Sequence, residues 1–260
     1  MSWRQTLAVV LQVTDHGDSD KIITLYTEAQ GKISGIAKGA KRSKKRFVNK
    51  LEPFSLLDLA YAEGRTSTLV RIDQAELLNG FPTLRQDYPR YTAATLICEQ
   101  LLQWTRENDA DPALFALGRW ALTSLEQGVP PLATVILFEV RMLDLLGYRP
   151  DLSGCLVCGA LTPCKRPYHF STGKSGLVCA ACNREADHSQ VPVSLETVKL
   201  LGKAQELEHH KLDRLQFSPA ASREAVTLLH RYDRHLLQRQ INSWPLFLAS
   251  LQQQPRCGCP

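Results

Sequence analysis

KIITLYTEAQGKISGIAKG, residues 21–39, decides the fold. It holds two short runs rich in β-branched and apolar residues, parted by a turn at Gly31. Strands of this length joined by a glycine turn read as an antiparallel hairpin. Upstream, TLAVVLQV (6–13) alternates, with Leu7, Val9, Leu11 and Val13 expected on one face, before the polar turn DHGDSD (15–20). Downstream, FSLLDLAYA (54–62) and STLVRIDQAEL (67–77) read as two more strands joined at Glu63 and Gly64. Five short strands with no long helix before residue 85 predict a small barrel of the oligonucleotide-binding (OB-fold) type over residues 1–80.

After Pro82 the period changes from two to that of a helix. Residues 88–106 place Tyr91, Ala94, Thr95, Cys98, Leu101 and Leu102 at helical spacing. DPALFALGRWALTSLEQG (111–128) adds Asp111 as N-cap, Pro112 in the first turn and Gly128 past the end. PLATVILFEVRMLDLLGY (131–148) repeats the form, and further helices start at Ser194, Ser218 and Pro245. The expected organisation is α+β: a barrel, then a helical domain over 81–260 with an insertion at 151–190. The tail QQQPRCGCP reads as frayed.

The insertion carries CLVC (155–158) and CAAC (179–182), twenty residues apart. Each such turn can aim two thiolates at one point, and two turns complete a tetrahedron. Two disulfides or unrelated buried thiols are the alternatives. MSWRQTLAVVLQV (1–13) does not read as a signal peptide and no apolar run is long enough to span a bilayer, so a cytoplasmic location and reduced or metal-bound cysteines are expected. One structural zinc on Cys155, Cys158, Cys179 and Cys182 is the favoured reading. Cys164 and His169 lie between the pairs and fit that spacing poorly. Cys98 reads as core, and Cys257 and Cys259 receive no role.

The net charge is +5, unevenly spread. Residues 1–80 carry 12 basic and 9 acidic side chains, and residues 191–260 carry 9 and 6. KGAKRSKKRFVNK (38–50) holds seven Lys or Arg in thirteen residues, between the third and fourth expected strands. It fits a sorting signal, a solvated loop, or a groove for a nucleic-acid backbone, with Phe47 and Tyr26 as candidates for stacking and equally for the core. Arg223, His230, Arg231, Arg234 and Gln238 gather on one side of a late helix, opposite Ala225, Leu229, Tyr232 and Leu236. No set of residues reads as a catalytic nucleophile. GKS (173–175) lacks the upstream glycine of a phosphate loop, and Asp15, Asp18 and Asp20 lack the rest of a calcium loop. Glu208, His209 and His210 read as a solvated helix end.

GDSDKIITLYT (17–27), GKISGIAKGAKRS (31–43) and LEPFSLLDL (51–59) resemble the N-terminal signature of the bacterial RecO family. FSTGKSGLVCAAC (170–182) is similar to that family's zinc-bearing part, whose cysteines not all members keep. The resemblance implies a recombination mediator, not an enzyme. It implies binding to single- and double-stranded DNA, annealing of complementary strands, and help in loading RecA on strands coated with single-strand-binding protein. The implied partners are RecR, in some lineages RecF, and the acidic tail of single-strand-binding protein, taken on the helical domain. The implied location is the cytoplasm, with the nucleoid. The residues expected on DNA, chosen by charge and position, are Lys38, Lys41, Arg42, Lys44, Lys45, Arg46, Arg223, Arg231 and Arg234. Competing readings are a zinc-ribbon adaptor for protein contact with weak DNA affinity, and a zinc-dependent nuclease or hydrolase.

Overall fold

A computed structural model describes residues 2–64, 68–163, 167–183 and 190–252. Cys164, Cys257, Cys259 and the tail from residue 253 onward lie outside the described residues. The chain divides into two compact units, Met1–Gln127 with Pro245–Pro260, and Gly128–Trp244.

In the first unit, β1 (Ser2–His16), β2 (Asp20–Thr27), β3 (Gly31–Ala37), β4 (Leu56–Glu63) and β5 (Val70–Asn79) close into a barrel of order β1-β2-β3-β5-β4. The pairs are antiparallel except β3 with β5, which closes the barrel in parallel at Gly35 and Val70. Gly35 is needed there, because a Cβ would stand 2.8 Å from Ile72 Cγ1 and 2.9 Å from Val70 Cγ2. The interior holds Ala8, Val10, Ile23, Leu25, Ile33, Leu57, Leu59, Tyr61 and Ile72.

β1 departs from the expected alternation. Its interior residues are Ala8 and Val10, not Leu7, Val9 and Leu11. A register shift between Val10 and Gln12 then returns Val13 to the edge of that core. Val9 and Leu11 are also buried, on the strand's other face, and α2 (Tyr88–Trp104) packs on β1. Burial on both faces erases the period-two signal, and a bulge resets its phase.

α1 (Pro82–Gln86), α2 and α3 (Pro112–Glu126) complete this unit with part of α7 (Ser243–Gln252). Asp111 caps α3 as expected, accepting from Ala113 N at 2.9 Å and Leu114 N at 3.0 Å. α2 is buried over most of its circumference: Ala93, Leu96, Ile97 and Gln100 are covered, while Tyr91 is exposed. The single apolar face expected from Tyr91 to Leu102 is therefore too narrow. Cys98 lies in the core, and burial pushes its thiol up to about 12.

Lys32 ties the barrel to α2. Its ammonium donates to Leu102 O at 2.8 Å and Thr105 O at 2.5 Å, where the helix leaves carbonyls without intrahelical donors. Gly31, at φ +67°, lies so close to Asp109 that a Cβ would stand 1.9 Å from its carbonyl oxygen.

The second unit contains α4 (Pro131–Leu145), α5 (Leu195–Glu206), α6 (Pro219–Leu237) and a three-stranded sheet. β6 (Tyr168–Ser171) lies between β7 (Gly176–Cys179) and β8 (Gln190–Val193), all antiparallel. Phe170 of β6 meets Tyr232 of α6 edge-on at 5.2 Å. Residues 173–175 form the β6–β7 turn, not a strand-to-helix phosphate loop.

Candidate metal centre and basic loop

The four cysteines of the two C-x-x-C turns converge. Their Sγ atoms all lie within 4.8 Å of one another. Cys179 ends β7, and Cys155 is drawn to it by a backbone bridge: Leu156 N donates to Leu177 O at 2.9 Å. Asp151 N donates to Ser175 O and Leu177 N to Asp151 O, extending the pairing upstream. Cys182 follows in a tight turn, its N donating to Cys179 O at 2.9 Å.

The spacing separates the possible chemistries. A disulfide needs its sulfurs at about 2.05 Å. A tetrahedron of thiolates at about 2.3 Å from a zinc ion sets them about 3.8 Å apart. Cys158 Sγ and Cys179 Sγ are 3.8 Å apart. The cluster could hold a metal ion.

The backbone prepares the site for charge. Burial opposes ionisation of Cys155, but N–H groups of Cys179, Cys158 and Val157 outweigh it and bring the thiol down to about 6. One of these, Cys179 N to Cys155 Sγ, spans 3.3 Å. Cys179 is lowered too, with burial again opposed by the Cys182 N–H. Thiols of Cys179 and Cys158 hold the proton on Cys182, raising it to about 12. A metal ion would take all four as thiolates. His169 stands on β6 opposite Val178, outside the cluster.

The basic loop is fastened at both ends. At its start Gly39, in the left-handed region at φ +69°, donates its N–H to Asp20 Oδ1 at 2.8 Å. Lys41 N donates to Ser19 O at 2.9 Å, and the Lys41 ammonium donates to Gly17 O at 2.9 Å and pairs with Asp15 at 3.1 Å. A turn of 3-10 helix spans Ala40–Arg42. At the far end Phe47 is 4% exposed inside the barrel core, with Leu51 beside it in that core. Arg46 donates to Lys38 O at 2.5 Å and covers the Phe47 ring at 4.4 Å. Lys38, Arg42, Lys44 and Lys45 stand exposed, with no ion pair to any described residue.

Phe47 and Tyr26 cannot stack on bases. Both are core residues, Tyr26 only 1% exposed. The polar turn carrying Asp15 and Asp20 also holds the basic loop. The hairpin register contained that signal: Lys21 pairs with Ala37, so Asp20 must lie beside Lys38 and Gly39.

On α6, Arg223, Arg231 and Arg234 are exposed, and Arg231 donates to Gln190 O at 3.5 Å. His230 is half-buried against Trp244, with ring centroids 5.0 Å apart. Ala225, Leu229 and Tyr232 form the buried side.

Comparison with known proteins matches this chain to two family descriptions. Residues 1–81 match "Recombination protein O N terminal" and residues 85–245 match "Recombination protein O C terminal". DNA repair protein RecO of Syntrophus aciditrophicus is 33% identical over 240 residues, 92% of this chain and 93% of the relative. The RecO of Geobacter metallireducens is 35% identical over 256 residues, 97% of this chain and 98% of the relative. That of Thermoanaerobacter is 29% identical over 249 residues, 95% of this chain. With a closed five-stranded barrel, a helical region and a four-cysteine cluster in a small inserted sheet, the chain belongs to the RecO family of DNA repair and recombination proteins.

Proposed function

We propose that this protein is a non-enzymatic DNA-binding mediator that anneals complementary single strands. It would assist RecA loading on strands coated with single-strand-binding protein. One observation carries the reading: a basic loop, anchored at both ends on a closed barrel, leaves Lys38, Arg42, Lys44 and Lys45 exposed. Clustered cations neutralise phosphate and release counterions, and two neutralised strands can approach and pair without hydrolysis. Lys41 and Arg46 serve the same surface from within the loop. Arg223, Arg231 and Arg234 on α6 form a second basic face for phosphate. The metal is zinc. Four cysteine ligands leave no open position for substrate, so it is structural. Functionally we divide the chain at residue 80, with 151–190 as the inset. Double-stranded DNA, RecR, the acidic tail of single-strand-binding protein and, in some settings, RecF are the expected partners, in the cytoplasm. Among the described residues no helix is long and apolar enough to cross a membrane.

The test is annealing of complementary oligonucleotides, bare and coated with single-strand-binding protein, without nucleotide or added metal. Acceleration that weakens steeply with salt is expected. Failure to bind or anneal oligonucleotides at low salt would overturn the reading. A second reading, a protein-contact adaptor, has its own support in Leu156, Val157 and Leu161, which are 42%, 55% and 72% exposed around the cysteine turns. It predicts a protein partner bound through that tip and annealing no faster than background.

A further inference from the structure

The β1–β2 turn is acidic and touches the base of the most basic segment of the chain. Asp15, Asp18 and Asp20 fall within six residues of sequence. By charge alone such a turn would repel a phosphate backbone and weaken the grip of the loop beside it. Its geometry serves another purpose. Asp20 Oδ1 takes the Gly39 N–H at 2.8 Å and the Ser19 hydroxyl at 2.8 Å. Ser19 O takes the Lys41 N–H, and Gly17 O takes the Lys41 ammonium. Three turn residues, Gly17, Ser19 and Asp20, therefore bind the first residues of the loop, where Gly39 is left-handed. No atom lies within 4 Å of a Cβ built at Gly39, so its left-handed φ and not crowding calls for glycine there, and the Gly39 N–H is taken by Asp20.

We propose that Asp20 is a positioning residue for the DNA-binding loop, locking its start so that Lys38, Arg42, Lys44 and Lys45 are presented together on one surface. Lys41 acts with it as a latch. The inference rests on the DNA-binding reading above. The advantage is entropic. A loop free at its start spreads its charges over many arrangements, and binding must then order it. The Gly39 and Ser19 hydrogen bonds also hold the Asp20 carboxyl below its ordinary value, as a carboxylate serving as acceptor should be.

Positioning and simple electrostatics predict opposite signs. The experiment compares the parent with Asp20→Ala and Asp20→Asn for binding to a labelled oligothymidylate across a salt series. Asn keeps the Oδ1 acceptor and loses the charge, whereas Ala loses both. The proposal expects Asp20→Ala to bind about threefold to tenfold more weakly, with a shallower salt slope. It expects Asp20→Asn to match or exceed the parent. Amide exchange supplies a readout independent of DNA: Gly39 and Lys41 should exchange faster in Asp20→Ala and not in Asp20→Asn. If both variants bind more tightly to the same degree, the turn only repels and the proposal is overturned. Unchanged exchange at Gly39 in Asp20→Ala would overturn the clasp itself. A parent that binds no oligothymidylate would instead remove the DNA-binding reading, whatever the exchange data say.

Discussion

Two loop-rich segments of this chain solve the same problem by different means. The basic loop at 38–50 and the cysteine segment at 151–183 both have to hold polar side chains in a fixed arrangement. The basic loop borrows order from the barrel: Phe47 and Leu51 sink into the barrel core, and the β1–β2 turn grips its start. The cysteine segment draws four thiols from two turns to one point that could hold a metal ion. One should therefore depend on the β-scaffold and be indifferent to metal, and the other the reverse. The difference teaches that a surface meant to stay open to a ligand is best held from beneath, by backbone. A small module with little core can instead be held through its centre.

The largest expected effect is on the cysteine side. Cys179→Ser should release the metal and expose β6 and β7 to amide exchange, while the 38–50 loop keeps its protection. Metal analysis should read one zinc per parent chain and none in the variant. Full zinc in a Cys155→Ser/Cys179→Ser protein would break the comparison at its first term. On the other side, replacing Lys38, Arg42, Lys44 and Lys45 together by Ala should make the log–log salt slope for single-stranded DNA shallower by about 3. Metal content should hold, and stability should shift by no more than about 0.5 kcal/mol, since these side chains are exposed. An unchanged slope would move the grip elsewhere, first to Arg223, Arg231 and Arg234.

A smaller effect tests how firmly the scaffold is built. Lys32→Met keeps the apolar stem and removes the donor to Leu102 O and Thr105 O. It should lower unfolding stability by about 1–3 kcal/mol, read from a denaturant midpoint, without loss of zinc. No loss of stability would mean that α2 holds to the barrel by apolar packing alone.

The smallest effect lies in the unit that carries the cysteines. Burial, then the charges of Arg234 and Arg231, depress the His230 pKa below its ordinary 6.5. The folded state thus prefers neutral imidazole. Stability from this group is complete above 6.5 and declines as pH falls from there through the depressed folded value. Between pH 8 and 5.5 the parent should lose more stability than His230→Gln, by less than about 1 kcal/mol. Equal losses would remove His230 from the account.

Much of the candidate site was legible in the chain. Two C-x-x-C turns at zinc spacing announce a shared centre, because ligand geometry is local and each turn needs only four residues. The barrel was legible from strand lengths and glycine turns. The phase of β1 was not, since Ala8, Val9, Val10 and Leu11 are all buried and periodicity vanishes when both faces are covered. Nor were the places of Phe47 and Tyr26, because an aromatic beside lysines has the same sequence pattern whether it stacks on a base or fills a core.

The sequence by itself determined which residue types could do chemistry and where along the chain they cluster: seven cations in one loop, four thiols in one insertion. Tertiary structure alone decided which of those groups are already engaged. Lys41 and Arg46, though exposed, donate to Gly17 O and Lys38 O, while Lys38, Arg42, Lys44 and Lys45 make no such bond to a described residue. Charge is a property of a side chain. Its availability depends on which acceptors the fold brings within about 3 Å, here from the β1–β2 turn and from the loop's own start.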